Sequence, residues 1–365
     1  MDNLLIPDLA LQHFANDLLL AMGSPPDSAK KIAASLVKSD IRGTNTHGVG
    51  LLSMYARMID GGAIDPNATT TITHKTDCII SVDGHDGFGQ LVGELATAAG
   101  IEAAQKSGMA MVAISNASHL GRLGEWAEQA ADAALVFTAF SNSGGGALNV
   151  AAFGGHERKL STNPIAFAVP TFGALPFNII VDFATSQISG AVIQKHYHAN
   201  VPLHNNWAIS ASGETLTDAQ AFMDGEGALL PLGGRETGHK GYGLALVAEL
   251  FAAIAGGMVV GQHHPEWFSN AALFSFIDPL RLSSLDEITK RIHSVATHLN
   301  EDNVRLPGQG SYERTLLSES QGITLPSHVL RSLLKLASRL DVRVADEIAT
   351  QLPGEENPEE KLKSW

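Results

Sequence analysis

The 365 residues contain a single cysteine, Cys78. An intrachain disulfide is therefore excluded, and with it a small disulfide-stapled secreted scaffold. Basic residues are also scarce: 24 Lys and Arg against 38 Asp and Glu leave a formal net charge of −14, and no Lys/Arg run stands out. Such a surface repels phosphate backbones and anionic lipid, so neither nucleic acid nor membrane is expected as a partner. Long unbroken apolar runs are missing too. The stretch 244–260 is interrupted by Glu249 and several glycines and reads as buried helix, not a bilayer span. The start carries Asp2 and Asp8 with no basic stretch, so no signal peptide is expected and a cytoplasmic location is. No Gly-x-Gly-x-x-Gly follows a strand, which excludes the standard Rossmann fingerprint; Walker and Gly-x-Ser-x-Gly motifs are absent as well. His196-Tyr197-His198 and His263-His264-Pro265-Glu266 hold metal-ligand types without zinc spacing, and no metal is expected.

What is present is the balance of an ordered globular protein, 44% hydrophobic and 17% charged, long enough for one large or two intertwined domains. Helical spacing covers 7–22 and stops at Gly23. Ser24-Pro25 then reads as an N-cap followed by proline at the first helical position, opening a helix that runs to about residue 41. A further helix is expected over 51–60. From there the pattern alternates: strand 78–82, helix 89–106, strand 109–114, helix 122–134, strand 135–140, then strands 165–169 and 178–182. That alternation predicts βαβ units in a layered α/β domain. Residues 188–234 read as loop-rich. Helix 240–255, strand 272–277 and helices 285–299 and 328–340 follow, and the charged end, 351–365, reads as an exposed tail.

Five loops could carry chemistry. In Thr46-His47-Gly48 a hydroxyl can hold the imidazole while glycine lets the backbone pack closely; a capping turn with a solvent-facing histidine is the commoner meaning of such spacing. Asn116 to Arg122 follows a strand and precedes a helix, where open α/β sheets place ligands, so His119 could move a proton and Arg122 could clamp a carboxylate. A polar loop with a capping serine fits equally. Ser141 to Gly146 can offer N–H groups to phosphate oxygens or be a plain surface loop. Asp182, ending an apolar strand, can orient a histidine, accept a ribose hydroxyl or merely cap a turn. Lys240 opens an apolar helix, against the dipole, which invites an anion such as a cofactor phosphate.

Arg42-Gly43 through His47-Gly48, Gly87-Phe88-Gly89-Gln90, Ser118 to Arg122, Phe153-Gly154-Gly155, Thr162-Asn163-Pro164, Asp182 to Ser186, His239 to Gly243 and Leu306-Pro307-Gly308 occur in one order. Together they make the chain resemble the type 2 malate/L-lactate dehydrogenase family, over about residues 9–340. That family includes sulfolactate and ureidoglycolate dehydrogenases, and the subgroup nearest in pattern is the hydroxycarboxylate dehydrogenase B type. The resemblance implies a non-Rossmann α/β fold: a mixed sheet with flanking helices, plus a helical part from both termini. It implies boundaries near 1–76, 77–283, 284–350 and 351–365, with the third segment packing on the first, and a homodimer. It implies NAD or NADP as hydride carrier for a small 2-hydroxycarboxylate or 2-oxoacid. By matching position, His119 and His47 are the proton-transferring candidates, with Asp182 beside them. Thr46 and Asn163 face substrate. Ser143, Thr162, Asp182, Phe183, Ala184, Lys240, Gly308, Gln309 and Gly310 face the dinucleotide. Several members carry an arginine where Leu51 stands, so Arg122 is the candidate carboxylate clamp here. Ser161 replaces a usual glycine, and 190–200 fits the family poorly. A cyclic imino-acid reductase, a non-catalytic nucleotide-binding relative and a metal-dependent hydrolase are the rival functions.

Overall fold

The computed structural model describes residues 3–262 and 267–351, so the 263–266 ligand types and nearly all of the tail lie outside the described residues. The chain divides into two compact units, 1–57 with 311–365, and 58–310. The sequence expectation set its divisions at 76/77 and 283/284; the helix Leu285–Asn300 falls within the second unit.

The first unit is built from both ends of the chain. The strand Asn3–Ile6 pairs antiparallel with Ile323–Pro326. The helix Asp8–Ala21 buries Leu11, Phe14 and Leu18, the i, i+3, i+7 stripe that drives an amphipathic helix onto a core. Each such side chain contributes roughly 1.5–3 kcal/mol when fully buried. Its neighbour Pro26–Ile41 starts one residue later than expected: Pro25 is the N-cap, no side chain caps the helix, and the buried Ser24 Oγ has no hydrogen-bond partner. Ser327–Arg339 completes the apolar packing with Leu330 and Leu333.

The second unit holds a mixed sheet. Its order is Ile179–Phe183, Ile165–Val169, Val136–Ser141, Phe268–Ile277, Met109–Ala117, Ile79–Gly87, Thr71–His74. Only the Ile79–Gly87/Met109–Ala117 pair is parallel, joined by the crossover helix Gly89–Ser107. Phe268–Ile277 lies antiparallel between Met109–Ala117 and Val136–Ser141. Those two flanking strands therefore run the same way, as the alternation predicted, but with a strand from far along the chain inserted between them. Period-2 alternation covers both faces. Phe137 and Ala139 join the core that contains Trp126 of the helix Leu123–Asp132, while Phe140 meets Phe251 of the helix His239–Ile254 edge-on at 5.1 Å. The region expected to be loop-rich contains the helices Gly190–Ala199 and Ala219–Met223 and part of a small four-stranded sheet, with its own core of Ile193, Leu203, Phe222 and Leu229. Among the described residues no helix is long and apolar enough to cross a membrane. None of their His, Cys, Asp and Glu side chains form a group of three or more that could hold a metal.

Candidate active site

Register places the candidate loops of the second unit at one end of its sheet. Ala117 lies opposite Asn270, Ser141 opposite Ala272, Phe140 opposite Ile165, and Ile165 opposite Phe183. His119, Ser143, Thr162, Asn163 and Asp182 to Ala184 therefore share that end, at the carboxyl ends of three strands and the amino ends of two others. Open α/β sheets characteristically bind ligands at the carboxyl ends of their strands.

The loop carrying His119 is fixed on both sides. Ser118 N–H donates to Gly87 O, and Ser118 Oγ accepts from Gly89 N–H at the start of the crossover helix, each at 3.0 Å. A side chain on Gly89 would overlap the His119 carbonyl, which is why glycine stands there. Beyond the histidine, Leu120 N–H donates to Asn270 Oδ1 at 2.8 Å, and Trp126 Nε1 donates to Leu120 O at 3.0 Å. The half-buried His119 ring stands edge-on to Phe268, centroids 6.1 Å apart.

Hydrogen bonds carry this order from loop to loop. Asn270 Nδ2 donates to Asn142 O at 2.6 Å and to Ser143 Oγ at 3.3 Å. Asn142 and Asn163, both wholly buried, donate to Glu249. Thr185 N–H and Oγ donate to Thr162 O, and Thr185 Oγ also donates to Asn163 O. Thr185 O in turn accepts from Leu232 N–H, and Leu232 O from Gly241 N–H, beside the exposed Lys240 on the first turn of its helix. Gly308 abuts the backbone of Asn178 and Ile180 on the edge strand that ends in Asp182 and Phe183. Gln309 Oε1 accepts from Leu306 N–H, which closes the turn ahead of Gly310.

Asp182 keeps solvent contact although protein crowds its carboxyl, the situation of a group in a recess. Its Oδ2 accepts from Gly124 N–H at 2.7 Å. Crowding raises its proton affinity; the Gly124 bond and the Arg122 charge lower it, and Glu128 raises it. Water screens all of these.

Arg122 does not fit the role of carboxylate clamp. It is 5% exposed, and its two terminal nitrogens form a bidentate pair with Glu128 at 3.0 and 2.9 Å. Its end-on Nη1/Nη2 fork is thus already filled, while Nε, buried without a hydrogen-bond partner, is closed off from solvent. Its remaining electrostatic neighbours, Asp182 and Glu125, are acidic.

Thr46 and His47 belong to the first unit, in the short 3-10 turn Asn45–His47. Thr46 Oγ1 and His47 Nδ1 are 2.9 Å apart, the local hold that the sequence suggested. The turn is anchored by Asp40, 2% exposed, whose oxygens accept from Asn45 Nδ2 and Val49 N–H at 2.8 Å each. Gly48 packs so closely on Asp40 that a Cβ would overlap the carboxyl.

The profile of the malate/L-lactate dehydrogenase family matches residues 6–334. The chain belongs to that family. It is 32% identical over 345 residues to an L-lactate dehydrogenase of Cupriavidus necator, covering 91% of this chain and 97% of that protein. It superposes with a TM-score of 0.83 on the malate dehydrogenase of Pyrococcus horikoshii, at 28% identity and covering 94% and 97% of the two chains. It also superposes with a TM-score of 0.81 on a delta1-piperideine-2-carboxylate reductase from Pseudomonas syringae, at 26% identity and covering 91% and 99%. The protein is a member of a family of hydroxyacid oxidoreductases, with the mixed α/β fold that its resemblance implied.

The sequence did not single out Glu249, Asn142, Asn270, Thr185 or Asp40 individually. One signal for Glu249 was visible: a lone carboxylate in an otherwise apolar helix must find partners if it is buried.

Proposed function

We propose that the protein interconverts a small 2-hydroxycarboxylic acid and its 2-oxo form, with NAD or NADP as hydride carrier. The observation that carries this reading is the convergence of His119, Ser143, Thr162, Asn163 and Asp182 at one sheet end, joined by continuous hydrogen bonds. The residues suit a dinucleotide. Ser143 and Thr162 are half-buried hydroxyls, and Asp182, with Oδ2 held by Gly124 N–H, has its other carboxyl oxygen to accept from a ribose. Lys240, exposed on the first turn of a helix without a side-chain cap, offers its charge to phosphate. Asn163 Oδ1 is buried without a partner and would be satisfied by a donor brought in with a ligand. Phe183, Ala184 and the Gly308-Gln309-Gly310 turn complete the surface offered to it.

When bound, the nicotinamide supplies or takes the hydride at the substrate carbon. His119 holds the proton exchanged with the substrate oxygen, a role that typically contributes about 10²–10⁴-fold. His47, its ring held through Nδ1 by the Thr46 hydroxyl, is the alternative proton-transferring imidazole. Asp182 holds the cofactor side, and Asn163 shapes the substrate side. The protein's own contribution is positioning: loops pinned at both ends need not be ordered when the substrate arrives.

The test is consumption of NADH and NADPH with a panel of 2-oxoacids, including pyruvate and oxaloacetate. If neither NADH nor NADPH is consumed or raises the unfolding temperature, the proposal ends. A second reading, reduction of a cyclic imino acid, is favoured by the likeness to the delta1-piperideine-2-carboxylate reductase. Formation of a cyclic amino acid from that imine, with no turnover of 2-oxoacids, selects it.

A homodimer is proposed with this function. Leu246, Val247, Leu250 and Ile254 form one exposed apolar stripe on the helix His239–Ile254, suited to a second copy. Sedimentation of the wild type and of Ile254→Asp tests it. A cytoplasmic setting goes with the single cysteine, and cell fractionation tests that.

A further inference from the structure

Glu249 is 3% exposed in the middle of the helix His239–Ile254, and both of its carboxyl oxygens accept hydrogen bonds. Oε1 accepts from Asn142 Nδ2 at 3.0 Å and from Val260 N–H at 2.7 Å; Oε2 accepts from Asn163 Nδ2 at 2.9 Å. Asn142 adjoins Ser143, and Asn163 adjoins Thr162. Asn142 also binds Met258 O and Ala271 N–H, and Asn163 binds Ala245 O on Glu249's own helix. Three chain segments distant in sequence thus meet on one carboxyl group. A fourth, the His119 loop, joins through Asn270.

We propose that Glu249 is the positioning residue of the dinucleotide site: its carboxyl fixes the Ser143 and Thr162 loops relative to each other, so that both face one cofactor. This rests on the function proposed above. The chemistry favours a carboxylate because three N–H donors converge, and a carboxylate is the side chain that offers acceptors on both arms. A glutamine at this position would turn an NH₂ group toward at least one donor. Burial makes that mismatch costly, since no water reaches the pair to repair it. The loops would then separate even though the sheet beneath them persists.

The experiment compares wild type, Glu249→Gln, Glu249→Asp and Val112→Ala. Val112 is a fully buried residue of the sheet core, so its truncation lowers stability away from these loops. Each protein is held well below its unfolding temperature, and NADH and NADPH binding is titrated by fluorescence. Hydrogen exchange is followed over residues 142–146, 162–163 and 258–262. For Glu249→Gln the expected result is about a tenfold rise in the dissociation constant, with faster exchange confined to those segments. Glu249→Asp, which keeps the charge but shortens its reach, should fall between the two. Val112→Ala should bind as the wild type does. Should Glu249→Gln fail to fold, Glu249→Asp carries the same comparison. Dissociation constants equal to that of Val112→Ala would overturn the proposal and leave Glu249 a stabilising core residue. Absence of nucleotide binding in the wild type would instead overturn the function on which it rests.

Discussion

The Thr46 hydroxyl lies 2.9 Å from Nδ1 of His47, one residue along the same short turn. The hydroxyl can donate to or accept from Nδ1, so the contact fixes the ring's orientation and biases the proton between its two nitrogens. Thr46→Val keeps the shape of the side chain and removes the hydroxyl, whereas Thr46→Ser keeps the hydroxyl. With a net hydrogen bond worth about 1 kcal/mol, Thr46→Val should lower kcat/KM roughly fivefold, and Thr46→Ser should stay near wild type. Nitrogen chemical shifts of the His47 ring should move in the first variant only. Identical behaviour of the two variants would show that the contact has no influence on the imidazole.

The carboxyl that anchors this turn brings a pH dependence of its own. Burial pushes Asp40 from 3.8 to about 7, against the Val49 and Asn45 hydrogen bonds that favour its charged form. The unfolded chain releases this proton near pH 4, whereas the folded chain keeps it to about pH 7. Over that interval the folded state binds more protons, so its stability is greatest at the acid end and declines as pH rises, levelling above about pH 7. Urea unfolding across the interval should show the decline in the wild type and a flatter profile in Asp40→Asn. Parallel profiles for the two proteins would mean that Asp40 titrates normally.

Much of this arrangement can be read in the chain, for reasons that differ by element. The helices Pro26–Ile41, Gly89–Ser107 and His239–Ile254 have apolar faces or apolar content dense enough to announce themselves, and Ile165–Val169 is a compact apolar strand between loops. The placement of Phe268–Ile277 between Met109–Ala117 and Val136–Ser141 is different. Strand pairing over such separations leaves no local trace, and the same holds for Asn3–Ile6 with Ile323–Pro326. The helix Gln309–Gln321 escaped notice because its sequence is largely polar. At the candidate site, His119, Ser143 and Asp182 were legible as polar motifs after strands, whereas Thr162 came only from the family resemblance. Arg122 was misread: in sequence a guanidinium beside a histidine suggests a ligand, and only the fold shows Glu128 filling its fork. Glu249 could be seen in sequence, but not that Asn142 and Asn163 would meet it.

Gly89 offers a direct probe of the His119 loop. Its N–H donates to Ser118 Oγ, and a methyl group on its Cα would collide with the His119 carbonyl. Backbone on one side and a helix start on the other leave little room to yield, so Gly89→Ala should displace the loop. We expect at least a tenfold loss in kcat, with destabilisation of about 1–3 kcal/mol from the overpacking. Steady-state kinetics with a productive 2-oxoacid and urea unfolding measure the two effects. Wild-type kcat in this variant would show that the loop's position does not govern turnover.

The Arg122–Glu128 pair separates a structural role from a substrate role. Both side chains are nearly enclosed, 5% and 6% exposed. Removing one partner strands the other's charge in a poorly solvated place, typically at a cost of about 3–5 kcal/mol. Arg122→Ala and Glu128→Ala should therefore each lower stability by that order. Replacing both with apolar residues of similar size, as in Arg122→Met with Glu128→Leu, should restore part of it, because the paired charges leave together, although Glu125 and Asp182 lose the neighbouring cation. The Arg122 charge favours the ionised form of Asp182 by more than Glu128 opposes it, so the double variant should raise the proton affinity of Asp182, which NMR titration of its carboxyl can follow. A substrate clamp predicts the opposite pattern: little loss of stability, a KM for the 2-oxoacid raised at least tenfold in Arg122→Ala, and no recovery in the double variant. Unfolding curves and KM measured on the same three proteins distinguish the two accounts.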